Sequence, residues 1–483
     1  MASSTVEPLA AVDASTGAQA RSDRSFFGHP KGLGWLCACE FWERFSYYGM
    51  QALLVLYMTH WLLQPEHVGA VAGFGPFRQL VEWAYGPLTP QALGSAIFGL
   101  YSGLVYVTPI AGGVLAERWI GRTAAVTLGA SLMALGHFLM AFDASFLAAL
   151  ACLLAGTGCF KGNIASQVGD LYRPGDLRRA TAFQYYLFTV QVAVIVTPLV
   201  CGGLADTLGW HWGFGAAGIG MLIGLAVYLA GRSTLPPEPA RGRARAAAPA
   251  RPPLTLPERR NLALLLALLP VLALALVANQ QLFNVYLLWA ETHYRLVAFG
   301  HHVPVTWILS IGSIVSASSI VASTAFWRWW ARRRREPDEL LKTALGVVLA
   351  IGAPLLLAAM SAWVAADGGR PLSLGWAVVL AIVNDLAFAN VFPIAMALYS
   401  RASPPGWTGV VMGVFFLHLF LCNVTVGWLG GLAGKMSSTD FWLMHAAIVG
   451  GAACLLLLAR FTVGRNLAAP LPGRAPLPLG ETT

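Results

Sequence analysis

Glu40, Glu43 and Arg44 lie close together in an otherwise apolar segment, and Tyr47 follows them. Their spacing of i, i+3, i+4 and i+7 places all four side chains on one face of a helix. Charges inside a membrane helix are costly and usually mark a ligand pathway, a proton relay or a counter-ion. The sequence therefore predicts a buried charge cluster. A charge network that only locks helices together is the alternative.

A further cation lies in a second apolar segment, GTGCFKGNIASQVGDLY at 156–172. Its Lys161 needs a carboxylate partner at that depth, and Glu40 or Glu43 is the expected one. A Lys–Glu pair whose proton occupancy changes with conformation suits proton-coupled transport. The run GxGxxK resembles part of a phosphate loop but lacks Gly-Lys-Ser/Thr, so we attribute the glycines to close helix packing.

The composition indicates which elements must position these groups. Of the 483 residues, 57% are hydrophobic and 11% are charged, whereas soluble proteins carry about 25% charged residues. A large water-soluble enzyme is therefore excluded. Apolar runs near or above 20 residues recur along the chain and predict an all-α polytopic membrane protein, since about 20 helical residues cross a bilayer.

Apolar stretches between polar segments give twelve candidate transmembrane helices, arranged as two bundles of six. A basic Pro/Ala-rich linker at 232–261 separates the N-terminal bundle, 33–231, from the C-terminal bundle, 262–461. Tails at 1–32, predicted to be disordered, and 462–483 complete the chain. The candidate helices are 33–62, 91–111, 122–142, 146–169, 180–205, 212–231, 262–291, 304–330, 343–366, 374–401, 407–433 and 440–461.

The distribution of charge predicts the orientation. If both termini lie on one side of the membrane, most of the 31 Lys and Arg residues lie on that side too. Such a bias predicts cytoplasmic termini in a multi-pass protein of the cell membrane. The net charge of +9 then needs no nucleic-acid partner. The run WRWWARRRR at 327–335 is interpreted as an aromatic anchor with a basic cytoplasmic flank, with a specific lipid site as the alternative.

The remaining reactive side chains do not suggest catalysis. All seven cysteines lie inside or at the ends of apolar segments, and no CxxC or Cys/His cluster indicates a metal. No catalytic triad or nucleotide loop is evident. We therefore expect no enzyme activity and no cofactor, with a proton gradient as the energy source.

The run EFWERFSYYG at 40–49 resembles the ExxERFxYYG signature of the proton-dependent oligopeptide transporter (POT/PTR) family, within the major facilitator superfamily. The segments GGVLAERWIGR at 112–122, 156–172 and PLVCGGLADTLGWHWGFGAAGIGM at 198–221 resemble further family motifs. The likeness is strong to about residue 230 and looser after it. It implies a major-facilitator-like fold and proton-driven import of di- and tripeptides by alternating access.

The resemblance also implies roles for individual residues. Glu40, Glu43, Arg44 and Lys161 resemble the proton-coupling residues of the family, and Lys161 also resembles the lysine that faces the peptide carboxylate. Tyr47 and Tyr48 resemble pocket tyrosines, as Gln280 in the seventh helix resembles a pocket glutamine. The complete set expected to bind substrate is Arg44, Tyr47, Tyr48, Gln51, Lys161, Gln191, Gln280, Asp385 and Phe388.

Five positions depart from the family pattern: Gln51, Gln191, Gly312, Phe388 and Phe415. Gln51 stands where the family usually has a second arginine, and Gln191 where it usually has asparagine. Phe388 stands where the tenth helix usually supplies a glutamate, and Asp385 lies one turn earlier on roughly the same face. The proton machinery is therefore expected to be intact while the peptide site is altered. Whether Asp385 replaces the missing acid is left open.

We expect a proton-coupled symporter for di- or tripeptides or peptide-like solutes. One alternative keeps the fold but carries a non-peptide solute, in either direction. A membrane receptor or a channel is a second alternative, disfavoured by the two six-helix halves and the paired acid–base network. The expected partners are a small-molecule substrate and membrane lipids, with no obligate protein partner and no nucleic acid.

Overall fold

The computed structural model describes residues 23–173, 176–238, 254–404 and 406–462, with residues 464 and 467. Within these ranges, nine helices are long and apolar enough to cross a membrane. The bent pair Leu256–Ala275 and Val277–Phe283 makes a tenth if it is counted as one span. The predicted all-α polytopic protein is thus confirmed, while the count of twelve spans stays a prediction.

Ten α-helices of the described residues precede the linker. Apolar runs set their lengths, and glycine or proline stands at several of their ends, for example Pro90 and Gly121. Their bounds are α1 Lys31–Tyr57, α2 Pro65–Val68, α3 Phe74–Tyr85, α4 Pro90–Leu104, α5 Thr108–Leu115, α6 Arg122–Leu139, α7 Phe146–Asp170, α8 Arg178–Thr197, α9 Gly203–Leu208 and α10 Trp210–Gly231.

Nine α-helices and four two-residue strands follow the linker. The helices are α11 Leu256–Ala275, α12 Val277–Gln280, α13 Val285–His293, α14 Trp307–Ala331, α15 Glu339–Ala350, α16 Gly352–Ala366, α17 Gly375–Ala402, α18 Thr408–Gly430 and α19 Ser438–Thr462. Strand β1 (Tyr294–Arg295) pairs in parallel with β4 (Leu372–Ser373), and β2 (Val297–Ala298) pairs antiparallel with β3 (His301–His302).

Three wider π-helical turns extend or join the helices of the first half. They are Met58–Leu62 after α1, Ala116–Ile120 after α5 and Pro198–Gly202 between α8 and α9. The last begins at a proline, which has no N–H to donate to the ladder of an α-helix. The predicted helix 180–205 is therefore two α-helices joined through a wider turn.

The predicted helix 262–291 is not continuous, so that prediction is wrong. Helix α11 begins at Leu256, because Thr255 and Glu258 form a capping box and Pro257 occupies the first turn. It ends at Ala275, and the following helical segment, Val277–Phe283, is inclined to α11 by 47°. The apolar pattern continues through this bend, which explains why the sequence does not reveal it.

The segment before α1 is ordered from Asp23, although the sequence predicts a disordered tail to residue 32. The side chain of Asp23 accepts a hydrogen bond from the backbone N–H of Lys31 at 2.8 Å and thereby caps α1. His29 Nδ1 lies 2.8 Å from the hydroxyl oxygen of Tyr172. The rest of that predicted tail, residues 1–22, lies outside the described residues, as do the middle of the linker and most of the C-terminal tail.

The described residues form two compact units. The first holds the residues up to Pro90, those between Val107 and Ala248, and Pro304–Ser313. The second holds Gln91–Tyr106, Pro249–Val303 and the residues from Ile314 onward. The prediction instead places residues 91–106 in the N-terminal bundle and residues 304–313 in the C-terminal bundle. Gln91–Tyr106 joins the second unit because Gly99 on α4 packs against the backbone of α18.

Close helix contacts explain Gly156 and Gly158, as the sequence predicts, whereas a Cβ atom added at Gly162 would have no neighbour within 4 Å. Helix α5 packs on α7 where Gly112 meets the carbonyl group of Gly158, and a Cβ atom at either position would overlap the neighbouring helix. Gly156 similarly accepts Met133 from α6, whose side chain would lie 2.5 Å from an added Cβ atom. These contacts fix the position of α7, which carries Lys161, along the axis of α5.

Candidate functional site

Helix α1 brings Glu40, Glu43 and Arg44 into one ion cluster. Their side chains are buried, with residue exposures of 3%, 0% and 5%. Arg44 Nε lies 2.8 Å from Glu40 Oε1 and 2.6 Å from Glu43 Oε2. The common face predicted from the spacing is thus present, and a single guanidinium nitrogen contacts both acids.

The carboxylates of this cluster have few hydrogen-bond donors. Among the described residues, no hydrogen bond reaches Glu40 Oε2 or either oxygen of Glu43. A buried ionised oxygen without a hydrogen-bond donor depends on nearby cations to offset its lost hydration. The charges of these acids are therefore offset mainly by Arg44 and Lys161.

Tyr47 lies beside two cations. The guanidinium carbon of Arg44 is 5.5 Å from the centre of its ring, and Lys161 Nζ is 5.8 Å from the same centre. Lys161 comes from α7 and interacts electrostatically with Glu43 and Glu40. A cation over a tyrosine ring is attracted to its electron-rich face. The structure therefore assembles the two acids, the two cations and Tyr47 as one buried group.

The next residues of α1 extend this group with polar side chains. The ring of Tyr48 meets that of Tyr47 edge to face, with centroids 5.2 Å apart. Gln51 is buried, and its Oε1 receives no hydrogen bond from the described residues. An amide oxygen without a donor at this depth is available to a ligand N–H group.

Helix α8 packs on α1 and contributes a residue that the sequence analysis missed. Tyr186 is buried and interacts electrostatically with Glu40 and Arg44. Gln191, the predicted site residue on the same helix, is half-buried and has no hydrogen-bond partner among the described residues. A hydroxyl group in an otherwise apolar helix is the signal that would have pointed to Tyr186.

A buried histidine of α6 is hydrogen-bonded to α1. The Oγ of Ser46 and the Nε2 of His137 share a hydrogen bond between α1 and α6, and both residues are fully buried. The Nδ1 of the same histidine has no hydrogen-bond partner among the described residues.

In the second unit, Gln280 lies at the break after α11. Its Nε2 donates a hydrogen bond to Asn279 Oδ1 at 3.1 Å. The neighbouring Gln281 is fully buried and pairs through Nε2 with His445 Nε2 at 3.1 Å. Gln280 is the less buried of the two, as a pocket residue requires.

Asp385 and Phe388 lie on α17 in different surroundings. Asp385 is buried, and its Oδ1 accepts a hydrogen bond from Asn384 Nδ2 at 3.0 Å. Among the described residues it has no Lys, Arg or His in ion-pair contact. The ring of Phe388 stacks on Phe392 with centroids 5.5 Å apart. Asp385 is therefore an acid whose charge no cation of the described chain offsets.

Metal chemistry has no evident ligands here. In the ranges that the structure describes, no group of three His, Cys, Asp or Glu side chains is arranged to hold a metal ion. What the candidate site offers instead is ion pairs, amide groups and tyrosine hydroxyls.

Comparison with known proteins gives consistent results. The POT family model matches residues 123–248. The peptide transporter YePEPT of Yersinia enterocolitica subsp. palearctica is 28% identical over 506 positions, covering 90% of this chain and 95% of that protein. A di-/tripeptide transporter of Lactococcus lactis subsp. cremoris is 27% identical, and the match covers 82% of this chain and 88% of that protein.

Solved structures extend the likeness to the fold. A substituted variant of a peptide transporter POT, in complex with alafosfalin, superposes with a TM-score of 0.79 at 25% identity. The match covers 95% of this chain and 99% of that one. The predicted fold class is therefore confirmed.

Proposed function

The chain resembles the POT family of peptide transporters, and on that premise we propose that it is a proton-coupled symporter. It imports di- or tripeptides, or peptide-like solutes, by alternating access. The observation that carries this proposal is the contact of one buried guanidinium group, that of Arg44, with the carboxylates of Glu40 and Glu43.

Charge balance indicates how this cluster couples a proton to transport. With both glutamates ionised, Glu40 and Glu43 balance Arg44 and Lys161. A proton on Glu43 leaves the group with one excess positive charge, which a substrate carboxylate can neutralise. Loss of that proton restores the internal balance and releases the anion. Proton and substrate thereby favour the same state, and a shift between states needs such differential binding.

Tyr47 connects the two cations in this scheme. Because Arg44 and Lys161 both lie near its ring, a displacement of either changes the field at the other. A buried charge that loses its partner is strongly destabilised. Movement of Lys161 toward a substrate therefore alters the attraction that holds Arg44 and Glu43 together.

Peptide-like cargo is supported by the names of the relatives. YePEPT is a peptide transporter, the Lactococcus lactis protein is a di-/tripeptide transporter, and the solved neighbour holds alafosfalin. In this chain, Arg44 and Lys161 would receive the carboxylate of such a ligand. Gln51, in the same unit, offers an amide oxygen for its backbone.

A non-peptide or amine-blocked solute is the second candidate. Phe388 stacks on Phe392 and offers no charge. Asp385 is the one buried acid among the described residues of the second unit. If it does not face the ligand, no other buried acid among the described residues of that unit is available to an α-amino group.

The cell membrane, with both termini in the cytoplasm, is the proposed location. Exposed arginines cluster at helix ends that this orientation places on the cytoplasmic side, for example Arg259 at the start of α11 and Arg332 after α14. A carrier of this kind needs no catalytic residues, and we propose that the chain is not an enzyme.

Uptake by proteoliposomes tests the proposal. The purified protein is reconstituted, the external pH is lowered, and the accumulation of labelled dialanine is measured with and without a protonophore. We expect accumulation above equilibrium that the protonophore abolishes. Accumulation that is unchanged by the protonophore would contradict proton coupling. Counterflow of a labelled solute other than peptide, with no counterflow of any peptide, would instead support the second candidate.

A further inference from the structure

Helix α14 ends in an ordered cluster of tryptophans and arginines. The guanidinium carbon of Arg333 lies 4.7 Å from the ring centre of Trp329, and that of Arg334 lies 5.5 Å from the ring centre of Trp330. We call these four residues the Arg–Trp cluster. Each guanidinium group is held over an indole face by a cation–π contact.

The backbone of the turn fixes these side chains in place. The N–H groups of Arg333 and Arg334 both donate to the carbonyl oxygen of Trp330, each at 2.9 Å. The indole N–H of Trp330 donates to the carbonyl oxygen of Arg335 at 3.4 Å. The cluster is therefore a defined turn rather than a loose run of basic residues.

The acids that follow the cluster do not neutralise it. Each is paired with a different cation: Glu336 with Lys342, Asp338 with Arg460 and Glu339 with Arg401. Within the part of the chain that the structure describes, no carboxylate is in ion-pair contact with Arg328 or with Arg332–Arg335. The end of α14 thus carries a concentrated positive charge that lacks an anion.

An exposed apolar stripe of α14 leads to this charge. Ile314, Val321 and Trp329 are exposed by 53%, 70% and 45%. Apolar surface that a spanning helix does not bury in protein contacts lipid chains. Arg333 follows Trp329 by one turn on the same side, and tryptophan concentrates at the level of lipid headgroups. The uncompensated guanidinium groups therefore lie where lipid phosphates lie.

We propose that the Arg–Trp cluster binds the phosphate of an anionic phospholipid headgroup. A guanidinium group stacked on an indole still presents its N–H edge, which matches two phosphate oxygens. The acyl chains of the same lipid continue along the apolar stripe past Trp329 and Val321. This lipid site is separate from the charge cluster of α1 and does not depend on the transported solute.

Native mass spectrometry of the full chain in a neutral detergent tests this site, with dioleoylphosphatidylglycerol and dioleoylphosphatidylcholine as probes. The variant Arg333→Gln/Arg334→Gln is compared with Arg259→Gln/Arg260→Gln, which removes the same charge from the start of α11. We expect phosphatidylglycerol to bind about tenfold more weakly to the first variant, because charge-assisted hydrogen bonds are lost. The control should bind it like the natural protein, and phosphatidylcholine should bind weakly to all three.

A second variant tests whether a loss of binding arises from misinsertion of the glutamine variant into the membrane. Arg333→Lys/Arg334→Lys keeps the charge but removes the planar fork, and we expect an intermediate loss of phosphatidylglycerol. Equal loss in both glutamine variants, or unchanged binding in Arg333→Gln/Arg334→Gln, would overturn the proposal. Displacement of the lipid by millimolar inorganic phosphate would also overturn it, since the site would then take free phosphate.

Discussion

Arg44 Nε lies 2.6 Å from Glu43 Oε2, yet neither oxygen of Glu43 receives a hydrogen bond from the described residues. The pair is thus held by charge with little hydrogen bonding. Such a contact depends strongly on the protonation of the acid, because protonation removes the attraction without leaving other bonds behind.

Replacing Lys161 by glutamine should abolish accumulation while leaving exchange. The change leaves Glu40 and Glu43 with one cation instead of two, so the proton no longer sets which state the substrate favours. We expect Lys161→Gln proteoliposomes to equilibrate labelled substrate by counterflow but not to concentrate it. The exposed Lys435→Gln is the matched control. Accumulation in Lys161→Gln driven by a proton gradient would show that the lysine has no coupling role.

The variants Glu40→Gln and Glu43→Gln should each flatten the dependence of uptake on external pH. Both acids contact Arg44, so a change of charge at either one alters the whole cluster. Initial uptake rates across a pH series measure this, with Glu66→Gln outside the spanning helices as control. If both variants keep the natural profile, the proton site lies elsewhere, and Asp385 is the next candidate.

The second unit should prefer a ligand without a free amine, because Phe388 stacks on Phe392 and provides no charge. We expect an N-acetylated dipeptide to be taken up at least as well as the free dipeptide. If Asp385 instead faces the amine, Asp385→Asn should weaken binding of the free dipeptide by about 1.5–3 kcal/mol, as a charged hydrogen bond is lost. Asp367→Asn is the control. A strong preference for the free amine that survives both Asp385→Asn and Phe388→Ala would contradict both versions.

Gly112→Ala should destabilise the protein, whereas Gly113→Ala should not. A Cβ atom at Gly112 overlaps the backbone of α7 at Gly158, while one at Gly113 has no neighbour within 4 Å. Overpacking of this kind costs about 1–3 kcal/mol. Thermal unfolding of the two variants in detergent measures the difference. Equal melting temperatures would show that α5 and α7 are not in close contact.

Acidic pH should weaken the docking of the segment before α1. Burial lowers the pKa of His29 below its ordinary 6.5, and the positive charge of Arg178 lowers it further. The unfolded chain therefore binds a proton near pH 6.5 that the folded chain rejects, so stability is lost as the pH falls below that value. The melting temperature of His29→Gln should fall less on acidification than that of the natural protein. Parallel curves for the two would exclude His29 as the titrating group.

The common face of Glu40, Glu43 and Arg44 was predictable because it depends only on the helical period. The close packing at Gly158 was predictable for a similar reason, since small residues in a membrane helix indicate a neighbouring backbone. Both properties are local, and the chain around them is regularly apolar.

Other features depend on residues far apart in the chain. Tyr186 joins the cluster only because α8 packs on α1, and His29 is held by Tyr172. The bend after Ala275 lies within an apolar run that continues to Ala278. Hydrophobic periodicity does not report any of these, because it describes single elements and not their partners.

The contact between Gly112 and Gly158 also restricts which motions can carry charge. Lys161 follows Gly158 on α7 by less than one turn, so the backbone beneath this lysine cannot slide along α5 without a collision. Its ammonium group can change position by rotation of its long side chain, or α1 can move toward it. The backbone of Lys161 is thus fixed relative to α5. A change in its distance to Glu43 must come from rotation of the lysine side chain or from movement of α1.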